Sequence, residues 1–122
     1  MSIQKQIYDA NKLRNDRLDK NVKPVKIVNL VEEMFNTNVK AKNRKQNTVF
    51  GRQAAAYLLR NYTRLSLSEI APYVGINHHT TTLYSIRKCG DLMDTEDWYK
   101  EKVLQICSEL DEYNLHLSAN QN

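Results

Sequence analysis

Glycine and proline are scarce in this chain, with three of one and two of the other in 122 residues. No apolar-polar alternation lasts long enough to compete with helical spacing, so a strand-rich fold built on tight turns is excluded. No run approaches the roughly eighteen apolar residues of a membrane span. The opening MSIQKQIYDANK lacks the apolar centre of a secretory signal. The two cysteines, Cys89 and Cys107, show no metal-ligand spacing and read as packed thiols of a reduced, cytoplasmic protein. No GxxxxGK[ST] phosphate loop is present, which rules out a nucleotide-driven motor of that type. The length suits one domain with a real core, too short for a sizeable catalytic module beside it.

Acid is also missing, but only from the middle. Residues 34–90 carry nine basic side chains (Lys40, Lys42, Arg44, Lys45, Arg52, Arg60, Arg64, Arg87, Lys88) against the single acid Glu69, a local charge of +8. Residues 1–33 amount to +2, and residues 91–122, with eight acids against Lys100 and Lys102, to −6. Such a chain attracts a polyanion to its middle and repels it from its tail.

What remains is helical spacing, which predicts an all-α helical bundle. A thin apolar face (Ile7, Leu13, Leu18) marks an N-terminal helix over residues 3–18. Pro24 suits the first turn of the next helix, whose stripe is Ile27, Leu30, Val31 and Met34, ending near Phe35. Residues 36–47 form a basic loop without acids. Asn47 or Thr48 is the expected cap of a helix that buries Ala55, Leu58, Leu59 and Tyr62 and exposes Arg52 and Gln53 in its early turn, at a terminus suited to anions. Tyr99, Val103, Ile106, Leu110 and Tyr113 mark a last helix starting near Asp94 or Thr95, with Trp98 at the domain edge. The expected organisation is an N-terminal helical extension (1–22), a domain (23–117) and a flexible tail (118–122).

Residues 67–83, LSEIAPYVGINHHTTTL, read as two short helices around a tight turn. Leu67, Ile70 and Val74 are the buried stripe of the first, and Gly75 supplies the permissive exit. Asn77, His78, His79, Thr80 and Thr81 crowd polar groups into the first turn of the second. Leu83, Ile86 and Cys89 anchor its opposite face, and Gly90 closes it. This layout places side chains in a DNA groove.

The stretch RKQNTVFGRQAAAYLLRNYTRLSLSEIAPYVGINHHTTTLYSIRK resembles the C-terminal DNA-binding domain of the bacterial replication initiator DnaA, an all-α domain with a Trp-repressor-like helix-turn-helix. The likeness covers roughly residues 24–92. It implies sequence-specific binding of double-stranded DNA by a stand-alone initiator-type domain, in replication initiation or its regulation. Arg44 matches the loop arginine that enters the minor groove, with Lys45 supporting it on the backbone. Arg52 and Gln53 match phosphate clamps, and Arg60 and Lys88 are further phosphate candidates. His79, Thr80 and Thr81 match the HTT triplet that meets base edges in the major groove, where a threonine methyl suits the thymine C5-methyl. His78 stands where the family usually has an aspartate, so the preferred site should differ at one position at least. Ser68 and Gly51 each replace a common proline, which implies looser backbone positioning near the phosphates.

Other chemistries fit poorly. Adjacent helical residues point roughly 100° apart, so His78 and His79 do not chelate one ion together, with or without His116 or a cysteine. A nuclease using His79 and Glu69 lacks a nucleophile and an organised acid-base pair. No catalysis, metal or cofactor is expected, nor a membrane. The competing reading is a protein-interaction module or transcriptional regulator on the same fold with weak DNA binding, its N-terminal helix or acidic C-terminal helix meeting a replication initiator or another protein.

Overall fold

Pro24 occupies the first turn of the first described helix, where its fixed φ is already helical and its missing N–H leaves no bond unmade. The computed structural model describes residues 22–120, so the helix expected over residues 3–18 lies outside them. The elements are α1 (Pro24–Phe35), α2 (Gln46–Tyr62), α3 (Leu67–Ile70), a 3-10 turn (Ala71–Val74), α4 (His79–Thr95) and α5 (Asp97–Asn120). The fold is all-α, and no strand occurs among the described residues.

α2 is the axis of the core. Six consecutive side chains, from Ala54 to Leu59, are buried on it, which makes it apolar all round, as a helix enclosed by others must be. α1 lays Ile27, Val31 and Phe35 against the core, with Leu30 and Met34 half-buried beside them. α1 ends at Asn36, in the left-handed region at φ 51°. On α5, Tyr99, Val103, Ile106 and Leu110 are fully buried, each worth about 1.5–3 kcal/mol of transfer free energy. Tyr99 also packs at 5.6 Å against Phe35, tilted, and against Phe50, edge-on, and donates its hydroxyl to the Phe50 carbonyl at 3.0 Å. Trp98 sits on the edge of this cluster, 42% exposed, at 5.3 Å from Phe50. Tyr62 donates to Asp111 at 2.8 Å. Burial raises its hydroxyl pKa, and the neighbouring Cys107 and Asp111 add to the effect, so it stays a donor. Burial likewise pushes the Cys89 thiol up, as expected for packing rather than reactivity.

The helix-turn-helix is tied at both joints. Ser66 and Glu69 form a reciprocal capping box at the start of α3: Ser66 Oγ accepts from the Glu69 N–H at 3.2 Å, and Glu69 Oε1 from the Ser66 N–H at 2.9 Å. The backbone bond, then the hydroxyl bond, holds the Glu69 carboxyl below its ordinary pKa. Pro72 then breaks the expected single helix into one α turn and one 3-10 turn. Ile70 and Val74 of the predicted stripe are fully buried, but Leu67 is only half-buried.

Three sequence expectations are corrected by the structure. The buried face of α4 is Thr82, Ser85, Cys89 and Met93, while Leu83 and Ile86 are half-buried, because small side chains let α4 approach α2 closely. Gly90 does not close α4. Its φ is not positive, and the helix continues to Thr95, so α5 starts at Asp97 rather than near Asp94. α2 begins at Gln46 with no side-chain cap, because Thr48 is buried and its hydroxyl bonds Thr37 at 2.6 Å. α5 runs to Asn120.

Gly75 is required twice. Its φ is +68°, and a Cβ there would lie 3.0 Å from the Lys40 Cα. Gly75→Ala therefore combines a left-handed alanine, about 1–2 kcal/mol, with a collision against backbone. Urea denaturation is expected to show a loss of about 1–3 kcal/mol, and an unchanged midpoint would contradict this account of the turn.

Candidate nucleic-acid interface

The basic loop between α1 and α2 is shaped by bonds to its backbone. Val39, fully buried, is its anchor. Its N–H donates to Glu32 Oε2 at 3.0 Å, and its carbonyl accepts from Arg52 Nε at 3.0 Å. Arg52 Nη2 also donates to the Ala41 carbonyl at 2.8 Å. Asn38 and Asn43 accept from the N–H groups of Lys40 and Lys45 at 3.0 and 2.9 Å, the short side-chain turns typical of Asn. Lys40, Lys42, Arg44 and Lys45 are thus exposed on a loop of defined path.

The second component is the start of α4. His78, extended at φ −138° and ψ 134°, is the N-cap, and its Nδ1 accepts from the Thr80 N–H at 3.2 Å. A ring that accepts at Nδ1 is neutral and carries its proton on Nε2. The His78 and His79 rings stack at 4.7 Å. His78, His79, Thr80 and Thr81 are all exposed, whereas Thr82 is buried, so the polar turn faces outward from a helix fixed by its other side.

Two clefts join these components. One of about 380 Å³, between α2 and the first turns of α4, brings together Arg52, Gln53, His78, Thr81 and Tyr84. The other, about 250 Å³, is lined by Lys40, Lys42, Arg44, Arg52 and Gly75. Arg52 and Gly75 belong to both, so the turn of the helix-turn-helix and the basic loop form one surface. Gln53 is not exposed as the sequence suggested. It is 8% exposed, and its Oε1 has no hydrogen-bond partner among the described residues, leaving a buried acceptor at the cleft wall. Arg52 is only half exposed, being engaged with the loop carbonyls.

The remaining predicted residues lie outside both clefts. Lys45 is exposed at the foot of α2, and Arg60 sits in its last turn, about 12 Å from Arg52 along the axis at ~1.5 Å per residue. Ser68 is exposed in the single turn of α3, and His79, Thr80 and Lys88 on α4. Gly51 does not loosen a phosphate-facing edge. It is buried, and a Cβ there would meet Thr37 Cγ2 at 2.9 Å, so it is a close-packing position. The sequence reading missed Tyr84, 61% exposed on α4. Its spacing from Thr80 and Thr81 is the signal that would have found it. Glu32 was missed as well, because its partner is a backbone N–H. Among the described residues, no three of His, Cys, Asp and Glu converge on a metal site, and no helix is long and apolar enough to cross a membrane.

A capped outward-facing helix, a glycine turn and an abutting basic loop define a helix-turn-helix protein. Residues 24–89 match the family model described as the bacterial dnaA protein helix-turn-helix, and the chain belongs to that family. It is similar to the chromosomal replication initiator protein DnaA of Crocosphaera subtropica, 37% identical over 102 residues, 81% of this chain and 22% of that protein. The protein of the same name from Thermus thermophilus is 37% identical over 76 residues, 60% of this chain and 17% of its own length. That from Sulfurimonas denitrificans is 28% identical over 74 residues, 61% of this chain and 17% of its own length. The chain spans less than a quarter of these relatives.

Arg52 can be tested as the loop's clamp apart from any ligand. A lysine, with one ammonium in place of the planar fork, does not hold both carbonyls in the same geometry. Arg52→Lys is expected to lower stability by about 1–2 kcal/mol and to speed amide hydrogen exchange at Val39 while leaving α5 protected. Unchanged exchange at Val39 would refute the clamp.

Proposed function

We propose that this chain binds double-stranded DNA sequence-specifically, with the first turns of α4 in the major groove and Arg44 in the adjacent minor groove. The sites are of the initiator type, used in replication initiation or its regulation. One observation carries the reading: the exposed polar turn His79, Thr80, Thr81 joins, through His78 and Thr81 at the Arg52 cleft, the surface of an acid-free basic loop gripped by Arg52. Membership in the DnaA helix-turn-helix family supports it. Arg44, Lys45, Arg60 and Lys88 act on phosphates or in the minor groove, and Arg52 and Gln53 meet the backbone at the cleft. Ser68 lies at the edge of the footprint. The reading contains no catalytic step and needs no cofactor.

The capping role of His78 bears on the site preferred. With Nδ1 engaged by the Thr80 N–H, the outward nitrogen is a donor. It suits an acceptor edge such as guanine N7 or O6 and does not accept from a cytosine amino group. An aspartate has two oxygens, so one caps the helix while the other accepts. His78→Asp is therefore expected to retain folding and to shift the preference, in a selection from random duplexes, toward cytosine at one position. Identical preferences for both proteins would remove His78 from readout.

A second reading, a protein partner on the acidic α5, is favoured by Leu115, 61% exposed beside Glu112. Gel-shift titration separates the two. Contact with about five phosphates gives a slope of log affinity on log salt near −4 to −5. His79→Ala or Thr81→Ala should cost about 1–3 kcal/mol on the preferred site and relax discrimination. Lys45→Ala should weaken all duplexes alike and shallow the slope by about one. Binding without salt dependence or sequence preference would sink the DNA reading.

A further inference from the structure

α4 carries more readable surface than its first turn. Thr80, Thr81, Tyr84, Arg87 and Lys88 are exposed, at the i, i+1, i+4, i+7, i+8 spacing of one helical face. Thr82, Ser85, Cys89 and Met93 are buried on the other side and seat the helix. Tyr84 thus contributes a large ring, 61% exposed, to the middle of a stripe that is otherwise polar and basic. Its ring pairs with no other aromatic ring or cation among the described residues. It lines the same cleft as Arg52, Gln53, His78 and Thr81, so a strand held at Arg52 and read at Thr81 passes beside it.

Four residues along a helix advance about 6 Å, close to two base steps at ~3.4 Å each along one strand. A tyrosine there offers an apolar face matched to the thymine C5-methyl, the only apolar group on the major-groove edge of the bases. We infer that Tyr84 is a further specificity-determining residue, selecting thymine about two base pairs beyond the position read by Thr80 and Thr81. The inference rests on α4 lying in the major groove, as proposed above.

The test is a selection from random duplexes with the full wild-type chain, Tyr84→Ala and Tyr84→Phe. Because Tyr84 is exposed, both variants are expected to keep the wild-type Tm. Wild type should show a thymine preference at the flanking position. Tyr84→Ala should flatten it and bind the best site about 5- to 10-fold more weakly, within the range of one lost base contact, while leaving the positions read by Thr80 and Thr81 intact. Tyr84→Phe, which keeps the ring face, should retain the preference. A Tyr84→Ala profile identical to wild type overturns the inference, as does an equal loss on every duplex, which would make Tyr84 a backbone contact. A wild-type profile flat at every position overturns the major-groove reading itself and the inference with it.

Discussion

The seating of α4 on α2 is the contact on which the rest of the structure depends. These two helices pack on each other more extensively than any other pair. α2 is buried along Ala54, Ala55 and Ala56, and α4 turns Thr82, Ser85 and Cys89 inward, all of them small. Close approach of this kind leaves little room for rotation about the helix axis, since interiors pack at near-crystalline density. It therefore fixes which residues of α4 face outward. With Thr82 and Ser85 turned inward, Thr80, Thr81 and Tyr84 have no other direction to face.

A second constraint places the basic loop against that helix. Gly75 lets the turn approach Lys40 more tightly than a Cβ ordinarily sits, while Glu32 holds the N–H and Arg52 the carbonyl of Val39. Charge density here is a matter of arrangement more than of count. The same cations on an unheld loop would pay conformational entropy on meeting phosphate, whereas here much of that ordering is done on folding. Arg52 thereby orders the loop as well as adding its own charge, so under the proposed DNA reading a loss of binding on its removal would have two sources.

Much of this was legible in the sequence, and the failures share a cause. Ile27, Val31, Leu58, Leu59, Val103 and Ile106 were found because a large apolar residue at helical spacing has one explanation, burial. Leu83 was preferred to Thr82 because hydrophobicity registers apolar area, and a helix packed through small residues buries little of it per position. Gly90 was read as a stop because glycine ends many helices, yet only a left-handed φ makes it one, and Gly75 has that where Gly90 does not. Thr48 looked like a cap until Thr37, eleven residues away, claimed its hydroxyl. The partners of Arg52 and Glu32 are backbone groups, and Gln53 is buried at a cleft wall, and sequence pattern carries no information on either. Residue types announced the site, and tertiary contacts set what each residue is free to do.

If the proposed function is right, DNA is met by one surface made of the basic loop, the Arg52 cleft and the outward face of α4. Backbone amide shift mapping by NMR, titrating the chain with a duplex obtained by selection, tests it most directly. The largest changes are expected at residues 40–45, 52–53 and 77–84, with α5 nearly silent. Changes centred on α5, with the first turns of α4 unmoved, would contradict it.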